Sequence, residues 1–383
     1  MALILWAILG IQVISYTITY PGKRTVTPNY WEASANWIKG NDLYSLNGTG
    51  FLYMPQSAII NIPFTYLPFT IAEVVWRAIN ISLYALSCYL IASLFESRQV
   101  RKTFLIISAF AVPLAYSSAR NGQLNLTLAA LIGIVTFCLA KKYFKLSIII
   151  CIFGTALKPY MAVPLLLLNG VYPKRCLPIS FLGLTVLFFA PFLFQSSTYV
   201  WHQYSELLHS LKVSMQFGHD QYYAYLFGML KVFKISINSQ LQIYITLCFA
   251  LAVFILSLHL SKKGPETESP IFMMTLATTF ILLFSSRSEN NSYCLIGSFL
   301  AFFFLYVPAV APNNRKTHET VILLCYTAII GSHEIGKYIT PGKAVWLAPL
   351  GLTIFISYIF SILIPILYKG SSNSAPLRTD TYS

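Results

Sequence analysis

Twelve Asp and Glu residues among 383 leave this chain few carboxylates with which to do proton chemistry. Three polar stretches set cationic and amide side chains against long apolar runs. Arg120-Asn121-Gly122-Gln123-Leu124-Asn125 is a glycine-containing corner, and Leu157-Lys158-Pro159-Tyr160 puts a cation at a break inside an apolar hairpin. Phe284-Ser285-Ser286-Arg287-Ser288-Glu289-Asn290-Asn291-Ser292-Tyr293 is a dense polar run. A turn, a proline kink and a loop are the plain readings of the three. The functional reading starts from cost: a charge at mid-bilayer is unfavourable by about 2.5–3.5 kcal/mol even on lenient scales, so one kept near hydrocarbon usually serves a site. Glu32, Asp42, Glu73, Glu206, Asp220, Glu289 and Glu334 are the carboxylates that the orientation argued below places with Arg120, Lys158 and Arg287. Signatures of soluble enzymes are missing from the sequence. It has no phosphate-cradling glycine loop, no His-Glu-x-x-His zinc helix and no nucleophile elbow. His219-Asp220 is a lone pair that reads as a polar loop contact rather than a metal site, so neither a metal nor a cofactor is expected.

The elements that must position these residues are helices in a bilayer. The chain is 56% hydrophobic and 10% charged, where a soluble domain carries roughly a quarter charged residues. Lipid offers no partner to backbone polar groups, so a crossing chain pairs them internally as helix. The net charge of +14 does not call for nucleic acid, because cytoplasmic loops of membrane proteins collect Lys and Arg. The seven cysteines sit in or beside apolar runs without ligand spacing and read as small core residues. Met1–Tyr20 lacks a basic leader and a small-residue cleavage site, and reads as an uncleaved first span.

Apolar stretches near 2–20, 71–95, 103–119, 123–140, 146–157, 159–172, 176–195, 240–260, 271–284, 292–310, 318–332 and 344–367 predict an all-α polytopic membrane protein of about twelve spans. The two short stretches on either side of Lys158-Pro159 read as half-helices. Basic clusters at Arg98/Arg101/Lys102, Lys141/Lys142/Lys145, Lys174/Arg175, Lys262/Lys263 and Arg315/Lys316 then fall on one side, which is cytoplasmic by the positive-inside rule. Residues 1–367 form a single transmembrane domain in this reading, and 368–383 a disordered cytoplasmic tail. The opposite side holds long segments at 21–70 and 196–239. The first contains an aromatic-rich interfacial helix, Tyr30-Trp31-Glu32-Ala33-Ser34-Ala35-Asn36-Trp37-Ile38. Residues 56–69 read as interfacial or re-entrant, because a crossing there would put every later basic cluster outside.

Taken in order, several of these elements resemble the glycosyltransferase family 87 membrane proteins over most of residues 1–300. Tyr30-Trp31-Glu32-Ala33 leads to Gly40-x-x-Leu43-Tyr44, then to Phe51-x-Tyr53-x-Pro55, Pro63-Phe64, Leu67-Pro68, and Ala72 before Trp76. Gly122-Gln123-x-Asn125, Leu157-Lys158-Pro159 and Arg287-Ser288-Glu289-Asn290 follow in the family's order. The resemblance implies a GT-C-like bundle with outer-face interfacial helices in the cell (inner) membrane. It also implies transfer of a hexose, with mannose first in line, from a polyprenyl-phosphate donor to an envelope glycan or glycolipid at the outer face. In that mechanism a first-loop carboxylate deprotonates the acceptor hydroxyl, which displaces the lipid phosphate with inversion. Asp42, ahead of Glu32 and Asp220, is the expected base. Arg120, Lys158 and Arg287 are the expected phosphate ligands, and Asn121, Gln123, Asn125, Glu289, Asn290, Tyr53 and Trp31 the further substrate contacts. One departure stands out: the Asp that family members usually carry about four residues before the Tyr-x-Glu-Ala element falls here near Val26, and Asn29, close by, is no base. A catalytically inactive GT-C scaffold, or a transporter or flippase of lipid-linked sugars, are the alternatives.

Overall fold

The computed structural model describes residues 1–45, 50–217, 223–340 and 345–368. His219, Asp220 and residues 369–383 of the expected tail lie outside the described residues. Seventeen α-helices run in chain order among the described residues: α1 (Ala2–Thr19), α2 (Thr27–Lys39), α3 (Pro55–Thr65), α4 (Phe69–Ala92), α5 (Val100–Arg120), α6 (Leu124–Ala140), α7 (Phe144–Leu157), α8 (Ala162–Val171), α9 (Pro173–Phe189), α10 (Ser197–Phe217), α11 (Leu226–Val232), α12 (Ser239–Lys263), α13 (Glu268–Phe284), α14 (Gly297–Val310), α15 (Arg315–Ile330), α16 (Ser332–Ile339) and α17 (Leu347–Tyr368). No strand occurs among the described residues.

All twelve apolar stretches of the sequence fold as helix. Six helical runs, Ala2–Thr19, Phe69–Ala92, Val100–Arg120, Pro173–Leu193, Ser239–Lys263 and Asn290–Val310, are long and apolar enough to cross a bilayer. Leu124–Ala140, Phe144–Leu157, Pro159–Val171 and Glu268–Phe284 are apolar but shorter, and α15, of 16 residues, begins with a charged turn. Their packing is that of a membrane protein. The apolar windows of Pro173–Leu193 and Ser239–Lys263 have mean hydropathies of 2.1 and 2.4, yet only 17% of each is buried. Phe181, Leu182, Leu247 and Leu251 point outward, an arrangement that water would penalise and lipid accepts. Small residues let helices approach closely: a Cβ on Gly133 of α6 would lie 3.0 Å from Ser87 of α4.

The hairpin of α7 and α8 shows how the sequence breaks a helix on purpose. Lys158, which precedes a proline, is extended at φ −156 and ψ 137, and Pro159 opens a 3-10 turn, where its missing N–H costs nothing. Met161 then folds back on Gly154, where a Cβ would meet Met161 Cγ at 2.5 Å.

The loops sort into two ends. At one, Lys142 pairs with Glu266 at 2.9 Å and Arg175 stacks over Phe144, which gathers the basic loops α6–α7, α8–α9 and α12–α13. The other end carries α2, α3, α10, α16 and the three polar stretches. There α2 opens on Pro28 and closes on Gly40 in the left-handed conformation. It buries Tyr30, Trp31, Ala33, Ser34 and Trp37 and exposes Glu32. Helix α3 has 11 residues, a length of about 16 Å against a hydrocarbon core of about 30 Å. It is too short to cross and instead packs on α2, where Ser34 Oγ donates to the Ala58 carbonyl at 2.7 Å.

An apolar crevice of about 500 Å³ opens between α12, α13 and α17, lined by Leu241, Tyr244, Phe249, Leu283, Phe284 and Ile356 among others.

Candidate functional site

The first turns of α4 fix the frame of the site. Glu73 and Arg77 stand four residues apart on one face and form an ion pair of 2.7 Å, with side chains 1% and 2% exposed. The Thr25 hydroxyl donates to Glu73 at 3.2 Å, and the Thr27 hydroxyl donates to the same oxygen. Arg77 donates through Nη2 and Nε to the Arg120 carbonyl at 3.0 and 3.2 Å. Val26 N–H reaches the Asn121 carbonyl at 3.1 Å, and Trp76 Nε1 the Gly122 carbonyl at 2.8 Å. Residues 25–27 are thus clamped to the Arg120–Gly122 corner. The corner demands glycine: Gly122 has φ +64, and a Cβ there would lie 2.7 Å from Thr27 Cγ2. Gly122→Ala is expected to destabilise the protein by more than about 1 kcal/mol, read as a lowered melting temperature in detergent.

Sequence reasoning counted Glu73 only as one more carboxylate at this end and did not single out Arg77. The available signal was a Glu and an Arg at i,i+4 inside an apolar helix.

Beyond the clamp, four chain segments meet in a chain of polar contacts. Lys158 Nζ donates to Asn125 Oδ1 at 2.8 Å. Asn125 Nδ2 donates to Gln123 Oε1 at 2.8 Å, and also reaches Asn291 Oδ1 and Ser292 Oγ. Gln123 Nε2 donates to Glu289 Oε2 at 3.2 Å, and Asn291 Nδ2 to the same oxygen at 2.8 Å. Lys158 Nζ also lies 4.3 Å from the centre of the Tyr160 ring, a cation–π contact. The Tyr160 hydroxyl accepts from Ser285 Oγ at 2.9 Å. Tyr53 and Glu289 stand in the electrostatic surroundings of Lys158. Tyr30 is bonded to Tyr53, and burial, more than any neighbour, holds its phenol well above the ordinary range. Among the described residues no carboxylate forms an ion pair with Lys158. A half-buried cation with no counter-charge bonded to it has the chemistry to hold an anion.

The other sequence candidates are distributed around this chain. Arg287 Nη2 donates to the Ser214 carbonyl at 3.2 Å, and the Ser288 carbonyl accepts from Ala224 N–H at 2.7 Å, which docks the late loop between α10 and α11. Arg120 bonds Asn121 Oδ1 at 3.3 Å and lies over the Tyr116 ring. Asn290 Oδ1 accepts from Ser332 Oγ at 3.2 Å. Asp42 accepts the N–H of Tyr44 at 3.0 Å, a local turn held against α10 by Leu43 N–H to Gln203 Oε1 at 2.9 Å. Next to it, burial first and the Asp42 charge second push the Tyr199 phenol up to about 12. Tyr44 links this layer to the Lys158 group by donating to the Tyr53 carbonyl at 2.7 Å. Glu32 is exposed on the far face of α2. Trp31 is buried against Phe64 and Phe69, and its buried Nε1 has no hydrogen-bond partner among the described residues.

Lys158, Asn125, Gln123, Glu289 and Tyr53 therefore come together. Asn121 serves the clamp and Trp31 serves packing. Asp220 lies outside the described residues. Among the described residues no three His, Cys, Asp or Glu side chains converge as metal ligands would.

The sequence model described as glycosyltransferase family 87 matches residues 51–286, a stretch that holds Tyr53, the Glu73–Arg77 pair, the Gly122 corner and Lys158. No curated protein matches the chain.

Proposed function

From the premise that the chain belongs to glycosyltransferase family 87, we propose that it transfers a hexose, mannose first in line, from a polyprenyl-phosphate donor to a glycan or glycolipid of the cell envelope. The observation that carries this reading is the chain Lys158–Asn125–Gln123–Glu289. It sets an anion receptor and an exposed carboxylate a few side chains apart at one end of a lipid-embedded bundle. The acceptor oxygen attacks the anomeric carbon, the bond from that carbon to the phosphate oxygen breaks, and the phosphate leaves with the electron pair. The acceptor proton passes to a carboxylate, and the stereocentre inverts. Lys158 lies where it can neutralise charge growing on the departing phosphate; one such preorganised donor is worth about 10²–10³ in kcat.

The apolar crevice supports a lipid-linked donor. Its lining residue Phe284 directly precedes Ser285, which is bonded through Tyr160 to the Lys158 group. With the basic loops cytoplasmic and about twelve crossings, this end faces outward from the cell membrane.

Purified protein in proteoliposomes, given radiolabelled polyprenyl-phosphate-mannose and a panel of acceptors, should label an acceptor. Label that crosses the bilayer without transfer would replace this reading with a transporter. Donor that binds but is never consumed would mark an inactive scaffold, the reading favoured by the absence of an acid near Val26.

A further inference from the structure

The transfer step needs a proton acceptor, and the carboxylates at this end are held in very different ways. Glu73 is sealed in its ion pair with Arg77 and two threonine hydroxyls. Asp42 accepts the Tyr44 N–H of its own turn beside α10 and makes no hydrogen bond to the Lys158 group. Glu32 and Glu334 are exposed on α2 and α16, and Glu206 lies on α10; none of the three has a hydrogen bond to the Lys158 group. Glu289 is different from all of these. It is exposed, yet Gln123 and Asn291 both donate to its Oε2, and it closes a capping box with Ser292 at the start of the 3-10 turn Asn290–Ile296. A carboxylate offers about four acceptor positions, so the group is oriented with capacity to spare.

We infer that Glu289, on the late polar loop, is the proton acceptor of the transfer, in place of a first-loop acid; this rests on the transferase reading above. The spacing between Glu289 and Lys158 favours it. The two interact electrostatically but form no ion pair, because Asn125 and Gln123 stand between them as a neutral bridge. An inverting displacement needs the attacking and leaving groups on opposite faces of one carbon. Phosphate at Lys158 and acceptor hydroxyl at Glu289 leave the anomeric carbon between them. As the new C–O bond forms, the hydroxyl proton moves to a Glu289 oxygen. The old C–O bond breaks toward the phosphate, whose charge Lys158 balances. Had the two residues been paired, each would have neutralised the other.

The test uses full-length protein in proteoliposomes with the donor and acceptor that support transfer. Glu289→Gln keeps the side-chain shape and one acceptor oxygen but removes the base. It is expected to lower kcat about 10²- to 10⁴-fold, with the KM for donor within a few-fold and the melting temperature unchanged. It is also expected to erase the acid limb of the kcat–pH profile, whereas Asp42→Asn and Asp220→Asn retain that limb. Glu289→Asp should restore part of the rate. If Glu289→Gln transfers within a few-fold of wild type while either Asp variant loses the acid limb, the assignment is wrong. It is equally wrong if Glu289→Gln loses transfer only in step with its melting temperature, since the residue would then be a cap alone. Wild-type protein that transfers from no lipid-phosphate sugar overturns the transferase reading itself.

Discussion

Lys158→Met is expected to lower kcat about 10²- to 10³-fold, the loss typical of one donor aimed at developing charge, and to raise the KM for the lipid-phosphate donor. The reason lies in how the ammonium is held. Asn125 takes one of its hydrogens and the Tyr160 ring takes its face, and no described carboxylate neutralises it. In the proposed reaction its charge is therefore available both to a bound phosphate and, more strongly, to the departing one. The proline break fixes it on the extended backbone between two rigid helices, so little reorganisation is needed during the reaction. Met keeps the apolar stem and leaves Asn125 Oδ1 without its donor, a modest structural change. Lys158→Arg keeps the charge but spreads it over a planar fork, which a single Asn oxygen beside a ring does not match, and it should recover only part of the rate. Steady-state kinetics in proteoliposomes decide the matter: a Met variant within a few-fold of wild type would remove Lys158 from the phosphate site.

Arg77→Met should be the most destabilising single change at this end of the molecule, by about 3–5 kcal/mol, the loss expected when one partner of a buried ion pair is removed and the other is left charged. Glu73 would keep its two threonine donors but lose its counter-charge, and the Arg120 carbonyl would lose two N–H donors. The double variant Glu73→Met/Arg77→Met removes both charges and should recover most of that loss. Denaturation in detergent of the wild type, both single variants and the double variant measures the coupling directly. Equal, mild effects in all three variants would mean that the pair does not hold residues 25–27 to the corner.

Much of the architecture was legible in the sequence because the bilayer writes it there. Apolar runs became helices, and α3 became a short helix beside α2 rather than a crossing. The three polar stretches were legible for the same reason, since polar groups next to such runs have few other uses. What stayed hidden was who meets whom. Gln123 and Glu289 bond across a separation of 166 residues, and no local pattern encodes that contact. Glu289 looked like one ligand contact among several until its amide bridge to Lys158 was visible. Asp42 and Trp31 have the right residue types for a base and a platform. Tertiary packing takes one into a turn against α10 and the other into an aromatic cluster. Arg77 was not singled out, although it stands four residues after Glu73 in an apolar helix, the spacing of a same-face pair.

The placement of Glu73 between the hydroxyls of Thr25 and Thr27 also bears on how the chain could be re-engineered. An aspartate written into position 26, where the family resemblance leads to the expectation of an acid, would stand between two threonines that already serve Glu73, and the only buried guanidinium among the described residues is already engaged. A second carboxylate in that segment would add a negative charge beside a pair that is balanced one to one. Grafting an acid into this segment therefore calls for retiring Glu73 in the same step.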